Sequence, residues 1–169
     1  MIFFQFHLFM SYLRKKMIHE VKHKTLILEG VNCSGKDTIK RLINIRTNFK
    51  YSIINRYLGS QFVYGTLYNR DVDYYRDFFF IEKCLKDFCY LIYLDASYDE
   101  IVKRINNRKR ESEEASLSDF FKIKNLYEKY LFITPLTKIV VNTTDLTPDQ
   151  VVSNILEEIE RKENNERKS

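Results

Sequence analysis

Glycine is scarce in this chain of 169 residues: Gly30, Gly35, Gly59 and Gly65 are all there is, and they fall in two short segments. That excludes collagen-like, glycine-linker and most repeat architectures, and it makes each glycine informative. Tryptophan is absent. Cysteine is limited to Cys33, Cys84 and Cys89, an odd number at no zinc spacing, and His7, His19 and His23 all precede the first strong motif. A disulfide scaffold or a zinc site is therefore not expected, and the cysteine usage suits a reducing, cytoplasmic setting. No apolar run is long enough to span a bilayer. The longest, MIFFQFHLFM at residues 1–10, is followed by Arg14, Lys15 and Lys16 and lacks a basic leader and a small-residue cleavage site, so it reads poorly as a signal peptide. It reads as an interfacial anchor or as an accessory stretch outside the core fold, and Met10 and Met17 are alternative starts. A strong excess of one charge is missing too. The formal charge is +5, of which residues 1–23 supply +3 (four basic residues against one acidic), so the remainder carries about +2. That is a weak footprint for nucleic acid.

What the chain does contain is core material. It is 44% hydrophobic with 13 Phe and 12 Tyr, enough for one folded domain. Thr25–Glu29 (TLILE) is a short apolar run ending in a glycine turn, hence a buried strand. Residues 35–47 follow as a helix with Ile39, Leu42 and Ile43 on one face. Tyr51–Asn55 predicts a second strand, residues 57–69 and about 72–86 predict helices, and Tyr90–Asp95 (YLIYLD) a third strand buried on both faces. Ser97 with Glu100 has the spacing of a capping box. Residues 106–117 read as an exposed connection, residues 118–132 as a helix and Lys138–Asn142 as a fourth strand. Thr147 and Pro148 open a last helix, with solvated charge after Glu160. Strands alternating with helices predict an α/β fold, one parallel sheet covered on both faces, with ligands at the carboxyl ends of the strands. The expected division is an extension at 1–22, the domain at 23–160 and a charged tail at 161–169.

The strongest motif is Gly30-Val31-Asn32-Cys33-Ser34-Gly35-Lys36-Asp37-Thr38, between an apolar strand and a helix. Glycines let successive backbone N–H groups turn inward on phosphate oxygens, the helix N-terminus adds partial positive charge, and Lys36 supplies a mobile cation. The strict G-x-x-x-x-G-K-[ST] pattern breaks at Asp37, with Thr38 one residue late. Asp37 and Thr38 are the candidate Mg²⁺ ligands, since a carboxylate beside a triphosphate is attractive only through a metal.

The second segment is Asn55-Arg56-Tyr57-Leu58-Gly59-Ser60-Gln61-Phe62-Val63-Tyr64-Gly65. TLILEGVNCSGKDTIKRL and NRYLGSQFVYG together resemble the thymidylate kinase family, whose loop reads E-G-x-D-x-x-G-K-S-T and whose later strand ends in D-R-Y-x-x-S-x-x-A-Y-Q. Arg56, Tyr57, Ser60 and Tyr64 match in identity and spacing, Arg104 and Arg108 match the R-x-x-x-R that leads into the lid, and Phe120, Phe121 and Tyr127 match the helix after it. The resemblance covers most of residues 24–157. It implies a three-layer phosphate-loop kinase fold of about four parallel strands, with ATP and Mg²⁺ as cofactors. It also implies Lys36, Arg56, Arg104 and Arg108 as catalytic residues, and an acceptor site formed by Asn32, Arg56, Tyr57, Ser60 and Tyr64. The chain departs from the family at Asn32 and Asn55, where carboxylates are expected, at Asp37 and at Gly65. The stretch between Lys36 and Arg56 is also about a third of the family's usual length.

The implied activity is ATP-dependent phosphoryl transfer to a deoxynucleoside monophosphate such as dTMP. The alternatives are a deoxynucleoside acceptor, or, from Asn32 and Asn55, a nucleotide-binding module without turnover. A membrane-associated regulator anchored by residues 1–16 is a third class. The partners expected are ATP and a nucleotide or nucleoside, without nucleic acid or a membrane span, and a homodimer is left open. Arg108, Lys109 and Arg110 form either a mobile phosphate clamp or a solvated charged loop. Asp95 suits either a Mg²⁺ contact through water or a strand-terminal cap facing Ser97. The aromatic group Tyr64, Tyr68, Tyr74, Tyr75, Phe78, Phe79 and Phe80 reads mainly as core, with Tyr64 facing the acceptor.

Overall fold

The computed structural model describes residues 24–108 and 117–166, the side chain of Arg108 apart. The extension at 1–22, Lys109 and Arg110 thus lie outside the described residues. Four strands form one parallel sheet: β1 (Thr25–Glu29), β2 (Ile53–Asn55), β3 (Cys89–Asp95) and β4 (Thr137–Asn142), in the spatial order β2-β1-β3-β4. Helices α1 (Lys36–Arg46), α2 (Leu58–Leu67), α3 (Tyr74–Asp77), α4 (Phe79–Leu85), α5 (Tyr98–Arg108), α6 (Phe120–Ile133) and α7 (Pro148–Glu166) cover it. This is the phosphate-loop kinase architecture, three layers with the sheet in the middle.

Strand periodicity sorts the core into two halves. Leu26, Leu28, Tyr90, Ile92 and Leu94 face Ile39 and Ile43 of α1 and Val151, Val152, Ile155 and Ile159 of α7. Ile27, Leu91 and Tyr93 face the other way, onto residues of α2 to α6 that include Val63, Tyr74, Ile101, Ile123, Tyr127 and Tyr130. At the carboxyl ends of β1 and β3, Glu29 and Asp95 share the parity of this second face. The short stretch after α1 has a topological consequence. Residues 47–52 turn back directly into β2, through left-handed Asn48 and Phe49, and β2 is left as an edge strand with Ile54 partly exposed.

Three details differ from the sequence reading. The helix expected over about 72–86 is broken at Phe78 into α3 and α4. The last helix does not end near Glu160 in a charged tail but continues to Glu166. There Glu166 accepts from Lys24 Nζ at 2.5 Å and from Tyr90 Oη at 3.3 Å, so tertiary partners hold the polar end in helical form. The start of α7 is a full capping box: Gln150 N–H donates to Thr147 Oγ1 and Thr147 N–H to Gln150 Oε1. At α5 only half of one forms. Glu100 N–H donates to Ser97 Oγ, but the Glu100 carboxylate turns to Arg104.

The aromatic group divides. Tyr74 and Phe78 are core, whereas Tyr68, Tyr75 and Phe80 are exposed. Behind Tyr74 a fully buried Glu82 accepts from Tyr74 Oη at 2.7 Å, Tyr130 Oη at 2.5 Å and Thr134 Oγ1 at 2.5 Å. Burial and this carboxyl group push both tyrosine hydroxyls well above their ordinary range. Glu82→Ala would leave three buried hydroxyls without an acceptor, at about 1–3 kcal/mol each. The expected outcome is a loss of at least ~3 kcal/mol in urea unfolding, with Glu82→Gln, which keeps one acceptor oxygen, losing less.

Candidate functional site

Three carboxyl-terminal strand ends, those of β1, β2 and β3, meet at the glycine-rich turn that follows β1. Gly30 and Gly35 have φ of 143° and 99°. A Cβ on Gly30 would lie 2.5 Å from Leu94 O, so the turn must be bare where it crosses the end of β3. Cys33 is also left-handed, at φ 61°. Lys36, at the start of α1, folds back into the turn. Its Nζ donates to Gly30 O at 2.9 Å, Val31 O at 2.7 Å and Ser34 Oγ at 3.2 Å. Desolvation, aided by the nearby Arg56 guanidinium, pulls this amine down to about 7. Ser34 is buried beneath it, and the turn presents the start of a helix to whatever binds there.

On the side of α2 and α6 the organiser is Glu29, fully buried at the end of β1. Its Oε1 accepts from the backbone N–H groups of Tyr57 at 2.7 Å and Ser60 at 3.0 Å, at the start of α2. Its Oε2 accepts from Ser60 Oγ at 2.5 Å and Tyr127 Oη at 3.1 Å. Burial and this carboxylate together raise the Tyr127 hydroxyl well above its usual range. Arg56 precedes that helix in a left-handed conformation, φ 61°. Its backbone N–H donates to Leu28 O at 2.9 Å, and its guanidinium donates to Asn32 Oδ1 and to Ser60 Oγ and lies 5.1 Å over the Tyr64 ring. Tyr57 serves through its backbone N–H, while its ring packs on the core.

On the opposite side a cavity of about 210 Å³ is lined by Cys33, Ser34, Gly35, Thr38, Arg104 and Thr143, among others. Arg104 crosses from α5 to its rim. It donates from Nε to Glu100 at 2.8 Å, from Nη1 to Cys33 O at 3.3 Å and to Thr143 Oγ1 at 3.1 Å, and from Nη2 to Thr143 O at 2.8 Å. It thus ties the glycine turn to the loop after β4. Arg108 lies on the same helix, at its last residue.

Among the described residues no group of three acidic, His or Cys side chains converges. Asp37, exposed in the first turn of α1, has Oδ1 held at 2.6 Å by Asn55 Nδ2, and Asn55 Oδ1 is buried without a partner among the described residues. One fixed carboxylate and a spare amide oxygen beside an anion site fit Mg²⁺, which takes few protein oxygens and completes its shell with water and phosphate. Thr38 sits one residue further on and lines the cavity.

The structure therefore gathers Gly30, Val31, Asn32, Cys33, Ser34, Gly35, Lys36, Asp37 and Thr38 in the turn, Arg56, Ser60 and Tyr64 on one flank, and Arg104 on the other. Gly65 lies behind Val72, where a Cβ would come within 2.5 Å of a valine methyl, so packing accounts for the glycine there. The sequence reading did not single out Glu29 or Thr143 as site residues. Glu29 had a visible signal, a carboxylate ending an otherwise apolar strand. Thr143 had none, because its part is set by the arrival of Arg104. Asp95 does not face Ser97: its Oδ2 pairs with Lys124 Nζ at 3.0 Å, and Ser97 N–H donates to Thr144 Oγ1.

A family model described as shikimate kinase matches residues 80–160, which span α4 to α7 and exclude the glycine turn and Arg56. No curated protein matches the chain. The YorR protein of Bacillus subtilis, solved in complex with phosphorylated GDP, is similar in structure. The TM-score is 0.70 at 21% identity, covering 83% of this chain and 98% of that one. Deoxyadenosine kinase from M. mycoides with bound dATP is similar at TM-score 0.59 and 18% identity, covering 80% and 99%. The same enzyme with the products dCMP and dCDP gives 0.58 and 18%, covering 81% and 99%. These likenesses establish the fold, and they do not single out the thymidylate kinase branch.

The depressed Lys36 amine has a measurable consequence. Folding expels its proton between about pH 7 and the ordinary lysine range, so the unfolded chain binds more protons there and stability rises with pH. Urea unfolding from pH 6.5 to 9.5 should show a gain for the wild type that Lys36→Met lacks.

Proposed function

We propose that this chain is a phosphotransferase that moves the γ-phosphoryl group of ATP to a (deoxy)nucleoside. The observation that carries the reading is Lys36 inside a glycine turn at the end of β1, with a cavity on one flank and Arg56 on the other. Such transfer needs positioning and charge neutralisation rather than covalent participation of the protein. In this reading the backbone N–H groups of residues 31–36 and the Lys36 amine hold the donor phosphates, the amine exchanging carbonyl partners for phosphate oxygens. The nucleoside end of ATP takes the cavity bounded by Arg104 and Thr143. Arg56, held by Asn32, Ser60 and Tyr64, orients the acceptor. Arg108, Lys109 and Arg110 serve as the cations that close over the transferring group. Asp37 and Asn55 would hold Mg²⁺, which would offset the charge of the donor phosphates.

A neutral acceptor suits this site better than a charged one. The Arg56 guanidinium is already engaged on three sides, Lys124 is offset by Asp95, and the Glu29 carboxylate lies beneath. A nucleoside monophosphate such as dTMP is the second reading, supported by the match of Arg56, Tyr57, Ser60 and Tyr64 to the thymidylate kinase pattern. Binding without turnover is the third, supported by the amides Asn32 and Asn55. An ATP/Mg²⁺ screen over all nucleosides and monophosphates separates the three. Phosphorylated nucleosides support the first, products from monophosphates alone the second, and no product despite ATP binding the third.

Lys36→Ala should lower turnover about 10²–10³-fold, the usual cost of one transition-state charge contact, while circular dichroism and the melting curve show an intact fold. A turnover near the wild-type rate would remove the glycine turn as the donor site. Asp37→Ala should weaken ATP binding in Mg²⁺ and strengthen it in EDTA, because it removes a metal ligand in one case and a repulsive charge in the other. Calorimetric titration in the two buffers reads both.

A further inference from the structure

A nucleoside hydroxyl attacking phosphorus must give up its proton, and four carboxylates stand near the carboxyl end of the sheet. Glu29 is spent, because Oε1 accepts two backbone N–H groups and Oε2 two hydroxyls. Asp37 is exposed, bonded to Asn55, and belongs to the phosphate side. Glu100 is spent on Arg104, with Lys103 beyond. Asp95 differs. Its Oδ2 meets Lys124 Nζ at 3.0 Å, but its Oδ1 is buried and has no hydrogen-bond partner among the described residues. A carboxylate oxygen hidden from water and left without a donor is costly unless something absent from the free protein supplies one.

The position is right for that donor to be the acceptor. Asp95 ends β3, on the parity of Leu91 and Tyr93, which face α2 and α6. Tyr93 packs on Tyr127 in a tilted arrangement, ring centroids 5.2 Å apart, and the Tyr127 hydroxyl bonds Ser60 beside Arg56. The residue before Asp95, Leu94, carries the carbonyl that abuts Gly30. Asp95 therefore stands between the acceptor flank and the glycine turn.

We infer that Asp95 is the general base of the transfer, with Lys124 as the positioning residue that aims its Oδ1 at the acceptor hydroxyl. The inference rests on the nucleoside-kinase reading above. In the step, the acceptor O–H bond breaks and its proton passes to Asp95 Oδ1. The acceptor oxygen forms a bond to the γ-phosphorus, and the bond from that phosphorus to the β–γ bridging oxygen breaks, its electron pair leaving with ADP. Asp95 returns the proton to water after product departs. The titratable groups facing this corner are Lys124, Tyr127 and Glu128 of α6, Arg56 and Tyr64 before and within α2, Glu29 of β1 and Tyr93 of β3. Burial and the Asp95 and Glu128 carboxylates hold the Tyr93 hydroxyl well above its ordinary range, so it is no rival base near neutral pH.

The test is the pH dependence of kcat and KM, from pH 5 to 9, for wild type, Asp95→Asn, Asp95→Glu and Lys124→Met, with ATP/Mg²⁺ and the best nucleoside from the screen. Asp95→Asn is expected to lose about 10²–10³ in kcat, with KM and ATP binding within about twofold and no acid limb. Asp95→Glu should recover part of the rate and restore the limb. Lys124→Met should lower kcat with KM within about twofold, because the carboxylate is no longer aimed at the acceptor hydroxyl. Wild-type kcat and an unchanged acid limb in Asp95→Asn would overturn the inference while leaving the kinase reading intact. If that variant does not fold, as judged by its melting curve, a wild-type kcat in Lys124→Met overturns it instead. A wild type that phosphorylates no nucleoside removes the kinase reading itself, and the base with it.

Discussion

The buried carboxylate of Glu29 is the constraint on which the functional end of this molecule depends. Removing a carboxylate from water is expensive, and the cost is offset only when every lone pair finds a donor. Here four donors converge, two of them backbone N–H groups at the start of α2. One side chain thereby fixes the end of β1, the orientation of α2 and the hydroxyl of Tyr127 on α6. Arg56 lies immediately before that helix, and its left-handed backbone is tolerated because the flanking bonds to Leu28, Glu29 and Asn32 determine it from several sides.

The sheet divides the work between its faces. Lys36 sits on the dividing line, on the helix that packs with α7 but with its amine turned into the glycine turn. One flank holds the cavity that Arg104 closes against Thr143, and the other holds Arg56, Tyr64 and the pair Asp95–Lys124. Crowding Lys36, two arginines and four carboxylates around one end of the sheet is possible because most of the charges are already paired. The exceptions are informative. The Lys36 amine is held below its usual range by burial, and one oxygen of Asp95 has no partner among the described residues. Such unfinished sites are where a ligand gains the most from binding.

The exchange of residue types at the phosphate turn is also coherent. Where a hydroxyl is expected there is Asp37, and where a carboxylate is expected there is Asn55. The two are hydrogen-bonded to each other at 2.6 Å, so this spot keeps one negative charge, carried by the helix instead of the strand. Separated by 18 positions in the sequence, they look like two independent defects. In space they are one hydrogen-bonded pair.

Local chemistry was legible in the sequence. The apolar runs at Thr25–Glu29 and Tyr90–Asp95 were strands because nothing else buries both faces of so short a segment, and the spacing of Gly30, Gly35 and Lys36 specified the turn because backbone freedom and a cation are local needs. Threonine 147 followed by proline fixed the start of α7 for the same reason. What the chain could not show was anything settled by residues arriving from elsewhere. Glu166 stays helical because Lys24 and Tyr90 reach it. Arg104 matches the entry to a lid in the sequence, and its bonds to Cys33 and Thr143 are visible only in space. Asp95 reads as a strand end, and only the approach of Lys124 to one of its oxygens, and of no described residue to the other, separates it from the other carboxylates around the turn. Periodicity and glycine placement act over a few residues. The state of a carboxylate depends on which donors the fold brings within 3 Å or so of it, and those come from distant parts of the chain.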